Sequence, residues 1–68
     1  MYNIIGYLND KIYTLQENGD MCSTFNSKPR KCTYLTDAKR YADKIAKNRP
    51  YKDVSVIDED TKEIVYIA

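Results

Sequence analysis

Two groups of residues in this chain have types and spacing that suggest acid or thiol chemistry, and neither group is complete. Asp58, Glu59 and Asp60 stand in a row and could hold a hard cation or share a proton. They adjoin Thr61 and Lys62 in what reads as a hairpin turn, where carboxylates are ordinarily just solvated, and a dedicated magnesium or calcium site draws on more converging oxygens. Cys22 and Cys32 lie ten positions apart. They could form a disulfide or supply half of a zinc set, but zinc takes about four Cys, His or carboxylate ligands, and the chain has no histidine. The same absence leaves no base titrating near neutrality and no Cys–His pair to activate a thiolate. There is no Gly-x-Ser-x-Gly, and two glycines in all cannot build a phosphate-cradling loop. The sequence therefore predicts a protein that is not an enzyme, with no cofactor and no metal, and with both thiols unpaired in a reducing compartment.

The cations are better organised. Residues 28–52 hold nine bases against two acids, or +7. Residues 53–68 carry −4 and residues 1–27 carry −2, so a net charge of +1 conceals a basic centre between acidic ends. Arg40, Lys44 and Lys47 fall on one side of a helical wheel. Lys28, Arg30 and Lys31 surround Pro29 in a loop that could extend this ridge. Such a surface can grip phosphates, in nucleic acid or in a nucleotide, or it can steer toward an acidic protein. The plain alternative is a solvated helix face whose charges are partly paired, since Lys39–Asp43 and Asp43–Lys47 have i,i+4 spacing. Seven tyrosines and no tryptophan add a second signal. Tyr41 belongs to an apolar helix stripe. The other six cannot all be buried in so small a domain, and exposed tyrosine is enriched at recognition surfaces. Tyr7 and Tyr13 are the candidate anchors.

The elements that position these residues follow from periodicity. Residues 2–8 alternate weakly, Asn9 and Asp10 offer a two-residue turn, and residues 11–17 are rich in strand formers. Asn18 and Gly19 both tolerate positive φ, as a type I′ hairpin turn requires, which predicts a third strand over residues 20–25. Pro29 and the charges beside it make residues 26–31 a loop. Thr36 is the predicted N-cap of a helix with Asp37 in its first turn. Ala38, Tyr41, Ala42, Ile45 and Ala46 form its apolar stripe, and Arg49 before Pro50 ends it. Residues 51–58 and 62–68 then read as a second hairpin around Glu59, Asp60 and Thr61. The prediction is one α+β domain over residues 1–68: an antiparallel sheet of two hairpin units, β-β-β-α-β-β, packed against one amphipathic helix.

One helix cannot cover both faces of that sheet, yet Ile4 with Ile5, Val56 with Ile57, and residues 64–67 place apolar side chains on both. Either the sheet curls over its own second face, or that face meets a partner or another copy in a homodimer. A chain of 68 residues is near the lower limit for folding unaided. No membrane span and no signal peptide are apparent, which suggests a cytoplasmic protein.

The layout is a tyrosine-rich opening hairpin, the basic turn at Lys28, Pro29, Arg30 and Lys31, the helix sequence TDAKRYADKI over residues 36–45, and a short valine-rich hairpin. It resembles the small accessory proteins of bacteriophages and prophages. The resemblance implies stoichiometric binding to a host component, including inhibition of CRISPR effectors and other defence systems, within the host cell cytoplasm. It implies no catalytic residues. Inhibitors of that kind often mimic DNA with an acidic surface, from which the basic centre of this chain departs. The sequence reading is thus an interaction protein that inhibits or modulates a host protein. A nucleic-acid or nucleotide binder using the same cationic surface is the alternative.

Overall fold

Apolar residues alternate through the first and last thirds of the chain and recur at helical spacing between them. The computed structural model, which describes residues 1–23, 28–48 and 50–68, has the matching elements. They are β1 (Tyr2–Leu8), β2 (Lys11–Leu15), β3 (Met21–Cys22), α1 (Leu35–Asn48), β4 (Lys52–Asp58) and β5 (Ile64–Ile67). The strands form one antiparallel sheet in the order β3-β2-β1-β4-β5, and α1 packs on one face of it, chiefly over β4 and β1. This is the predicted α+β architecture. Ile4, Val54 and Val56 project from the two central strands into full burial and meet Ala38, Ala42 and Ile45 of the helix. The alanines bring the helix backbone close to the sheet, and Leu15 and Cys32 close the ends of this core.

Three local expectations are corrected. Ala46 is exposed, because the helix seats its 38–42–45 line on the sheet and Ala46 falls beyond the edge of that seam. The helix begins at Leu35, and the Ala38 N–H donates to the Tyr34 carbonyl at 3.2 Å. Tyr34 is therefore the half-helical flanking residue, and Thr36 lies inside the first turn. At Asn18 and Gly19 only the glycine has positive φ (93°), and its N–H donates to the Gln16 carbonyl at 3.0 Å. That is a three-residue connection ending in a left-handed glycine instead of a type I′ pair. The two-residue positive-φ turn occurs at Asn9 (52°) and Asp10 (65°). Arg49, and residues 24–27 within the predicted third strand and loop, lie outside the described residues.

Among the described residues the third strand covers Met21 and Cys22, and β2 stops at Leu15, where another segment takes over its pairing on the β1 side. Beyond the Ile5–Thr14 pair, β1 and β2 part, and residues 28–32 fill the opening. The Glu17 N–H donates to the Lys28 carbonyl (3.0 Å) and the Arg30 N–H to the Leu15 carbonyl (2.8 Å). On the other side Tyr2 and Cys32 exchange N–H···O bonds of 2.8 and 2.9 Å. The predicted basic loop is, over its described residues, an extended strip hydrogen-bonded on both edges. The buried peptide groups of β1 and β2 need such partners.

Gly6 has a specific packing role. Its strand partner is Tyr13, and the Tyr51 ring meets the Tyr13 ring edge-on at 5.4 Å and 61°. A Cβ on Gly6 would come within 3.0 Å of the Tyr51 Cβ, so the bare backbone makes room for this aromatic pair.

On the face away from the helix, Cys22, Thr14, Ile5, Ser55 and Ile67 form one cross-strand row through all five strands. Tyr7 and Ile12 flank it on one side, and Asn3, Ile57 and Ile64 on the other. Ile5 in the middle is 8% exposed, while Ile12 and Ile67 remain 52% and 65% exposed. Neighbouring side chains shelter the centre of this face and leave its flanks bare. No helix among the described residues is long and apolar enough to cross a membrane.

Candidate functional site

The strip and the start of α1 together set a concavity. Because residues 28–32 are pinned as a strand, their side chains alternate, and Arg30 and Cys32 turn toward the helix. Cys32 joins the core. Arg30 stacks its guanidinium 4.7 Å from the centre of the Tyr41 ring and donates from Nη1 to the Glu17 carbonyl at 3.4 Å. Arg40 and Lys44 share one side of the helix at i,i+4 spacing. Arg30, Lys31, Arg40 and Lys44 consequently line one open hollow of about 580 Å³, with Tyr34 and Tyr41 and a single acid, Asp37. Tyr34 is 68% exposed and stands at the helix entry, on the rim.

The charges are not equally available. The Lys31 Nζ lies 3.0 Å from Glu59 Oε1. That hydrogen bond is the main reason the Glu59 carboxyl titrates below its ordinary value, against a smaller opposing effect of desolvation. Arg40, Lys44 and Lys47 make no ion pair with any described residue. The i,i+4 pairing proposed for Asp43 is replaced by a longer-range contact. Asp43 Oδ1 accepts a 2.6 Å hydrogen bond from the Tyr66 hydroxyl of β5, and Lys39 sits 5.1 Å above the Tyr66 ring. The bond to Asp43 holds the Tyr66 phenol above its usual pKa. Desolvation by burial pushes the Cys32 thiol up, offset in part by Arg30 and reinforced by Asp37. Burial thus favours the protonated form of the Cys32 thiol.

Of the eight sequence-predicted contact residues, the structure brings together Arg30, Lys31, Arg40 and Lys44. Lys28 lines a neighbouring hollow beside Glu17 and Asp20. Lys47 is exposed in the last helical turn, outside the hollow. Tyr7 lies at the opposite end of the sheet with Asp10, Lys52 and Asp53. Tyr13 is half-buried against Tyr51. The two candidate anchor tyrosines are therefore separate from the cations. The tyrosines that do accompany the cations are Tyr34 and Tyr41. Tyr34 could have been found from its position just before the helix, between Lys31 and Arg40. Tyr41 was legible only as core, which it also touches.

Cys22 stands on the open face and Cys32 in the core beneath the helix, on opposite sides of the sheet. Among the described residues, no group of three or more His, Cys, Asp or Glu side chains is placed to hold a metal ion. The chain matches no family model, no curated protein and no solved structure.

Proposed function

We propose that this protein is a non-catalytic interaction module that occupies an acidic surface of a partner protein through the hollow at the start of α1. Stoichiometric occupation of a host component, the mode of action that the accessory-protein resemblance implies, fits this reading. The observation that carries it is the convergence of Arg30, Arg40 and Lys44 around Tyr34 with one acid among them. Arg30 contributes most per contact. Its guanidinium is already held by Tyr41 and the Glu17 carbonyl, so it gives up little rotamer freedom on binding, and its planar fork matches a carboxylate. Tyr34 supplies rigid contact area with a polar tip.

Nucleic acid is the competing ligand, and the charge layout is less suited to it. Lys31 is engaged by Glu59, and Lys28 lies among Glu17 and Asp20. The cations form a cluster instead of a continuous track along a phosphate backbone. The test is affinity capture from a bacterial lysate, with and without nuclease, using the parent and an Arg40→Glu, Lys44→Glu variant. We expect a protein recovered at defined stoichiometry with the parent despite nuclease, and lost with the variant mostly through slower association. Strongly salt-dependent binding to DNA or RNA, with nothing recovered after nuclease treatment, would decide for nucleic acid.

A further inference from the structure

We infer that the open face of the sheet is covered by the same face of a second copy of this chain. This inference is independent of the cationic hollow, which lies on the helix side. Its first basis is charge. The chain has 11 basic and 10 acidic side chains, yet among the described residues strand pairing places on the open face only Lys52, opposite Tyr7 at the rim, and, at the other end, Lys31 and Glu59, which pair with each other at 3.0 Å. The remaining register positions there are isoleucine, tyrosine, cysteine, threonine, serine and asparagine. Identical surfaces that approach each other repel wherever they carry charge, and the described strands put only one unpaired cation per copy on this face, Lys52 at its rim.

The second basis is shape. Ile12 on β2 and Ile67 on β5 are both more than half exposed, and three strand spacings separate them, roughly 14 Å at about 4.8 Å each. A single docked helix, about 10 Å across, covers one flank and leaves the other wet. An opposing sheet covers both, at the spacing of about 10 Å that packed sheets adopt. The third basis is area. Strands of 7, 5, 2, 7 and 4 residues, at about 3.3 Å per residue and about 4.8 Å per strand, give a projected face of roughly 400 Å², which side-chain relief enlarges. A standard interface takes roughly 600–1,000 Å² from each partner, so pairing needs the whole face. Ile5 is at its centre because β1 is the middle strand, and an isologous contact is the commonest way for such a patch to close.

The test is sedimentation equilibrium of the parent chain across a concentration series, beside an Ile12→Lys, Ile67→Lys variant. Both substituted residues are mostly solvent-exposed in the single chain, so the fold tolerates them, and circular dichroism verifies that. We expect the parent to approach twice its 7.9 kDa chain mass. The variant should dissociate with a constant raised on the order of 10,000-fold, about a factor of ten for each of the four lysines that the two copies would bury. Arg40→Glu, Lys44→Glu should dimerise like the parent, which separates this result from the fate of the hollow. A parent that stays monomeric at every concentration overturns the inference, as does a folded Ile12→Lys, Ile67→Lys variant that dimerises undiminished.

Discussion

Replacing Ile45 with alanine removes the largest helix side chain in the core. Ile45 is 5% exposed and packs in the cluster with Val54, Val56, Ala38 and Ala42. The carbons lost are worth roughly 0.8 kcal/mol each, about 2.4 kcal/mol in all. A residual cavity adds about 24 cal/mol per Å³, and little can move to fill it. The alanines are too short, and the valines are stiff at χ1. We therefore expect a loss of about 3–4 kcal/mol, within the range for Ile→Ala in a core. A chain of 68 residues has only about 3–10 kcal/mol of stability in total. At about 4–8 °C per kcal/mol the melting temperature should fall by roughly 12–30 °C. Thermal scans followed by far-ultraviolet circular dichroism, at one fixed protein concentration, measure this directly. Ala46→Glu is the matched control: one position further along the same stripe but exposed, it should change stability by no more than about 0.5 kcal/mol. An unchanged melting temperature for Ile45→Ala, or collapse of Ala46→Glu, would refute this seating of the helix.

Other perturbations test other contacts. Gly6→Val forces a branched side chain against the Tyr51 Cβ, 3.0 Å from where its own Cβ must sit. It should cost about 1–3 kcal/mol in urea unfolding, and a variant as stable as the parent would show that the tyrosine pair is not held there. Because the Glu59 pKa is lowered in the folded state from the 4.5 of an unperturbed carboxyl, the stability from its Lys31 contact is present above 4.5. That stability should be lost as pH falls through the lower folded value. Lys31→Ala should bring the NMR-detected Glu59 titration back up, and an unmoved midpoint would exclude the contact. Because the Tyr66 pKa is raised from 10.0, its contribution is present below that value and should be lost as pH rises through the higher folded one. Asp43→Asn should lower the tyrosinate absorbance midpoint, and an unchanged midpoint would mean that the phenol is not bonded to Asp43.

The parts of the fold legible in the sequence were those set by local periodicity. The helix spacing of Ala38, Ala42 and Ile45 and the valines and isoleucines of the second hairpin need no knowledge of the rest of the chain. Ala46 could not be separated from that stripe, because the width of a helical seam is decided by the surface beneath it. The strand-like pairing of residues 28–32 was hidden for a related reason. Pro29 and three cations read as a loop, and only the gap between β1 and β2 supplies partners for their peptide groups. The candidate site was half legible. Charge counting found Arg30, Lys31, Arg40 and Lys44, but it could not tell that Glu59, nearly thirty positions later, claims Lys31. Nor could it tell that Tyr34, not Tyr7 or Tyr13, stands beside the cations. Those facts depend on long-range pairing, on which composition is silent.

The strip at residues 28–32 also has a kinetic meaning. The turn at Asn9 and Asp10 closes β1 and β2 locally, but the far end of that hairpin should stay frayed until residues 28–32 arrive and bond to both strands. The arrival that finishes the sheet is also the one that lays Arg30 on Tyr41 and lowers Cys32 into the core. A chain with this joint unlatched therefore presents neither a complete sheet nor an assembled hollow. Whatever seats itself against Arg30 binds only the latched form and, by mass action, holds the latch shut. Hydrogen exchange at the amides of Tyr2 and Glu17, which do not line the hollow, would register its presence from inside the sheet.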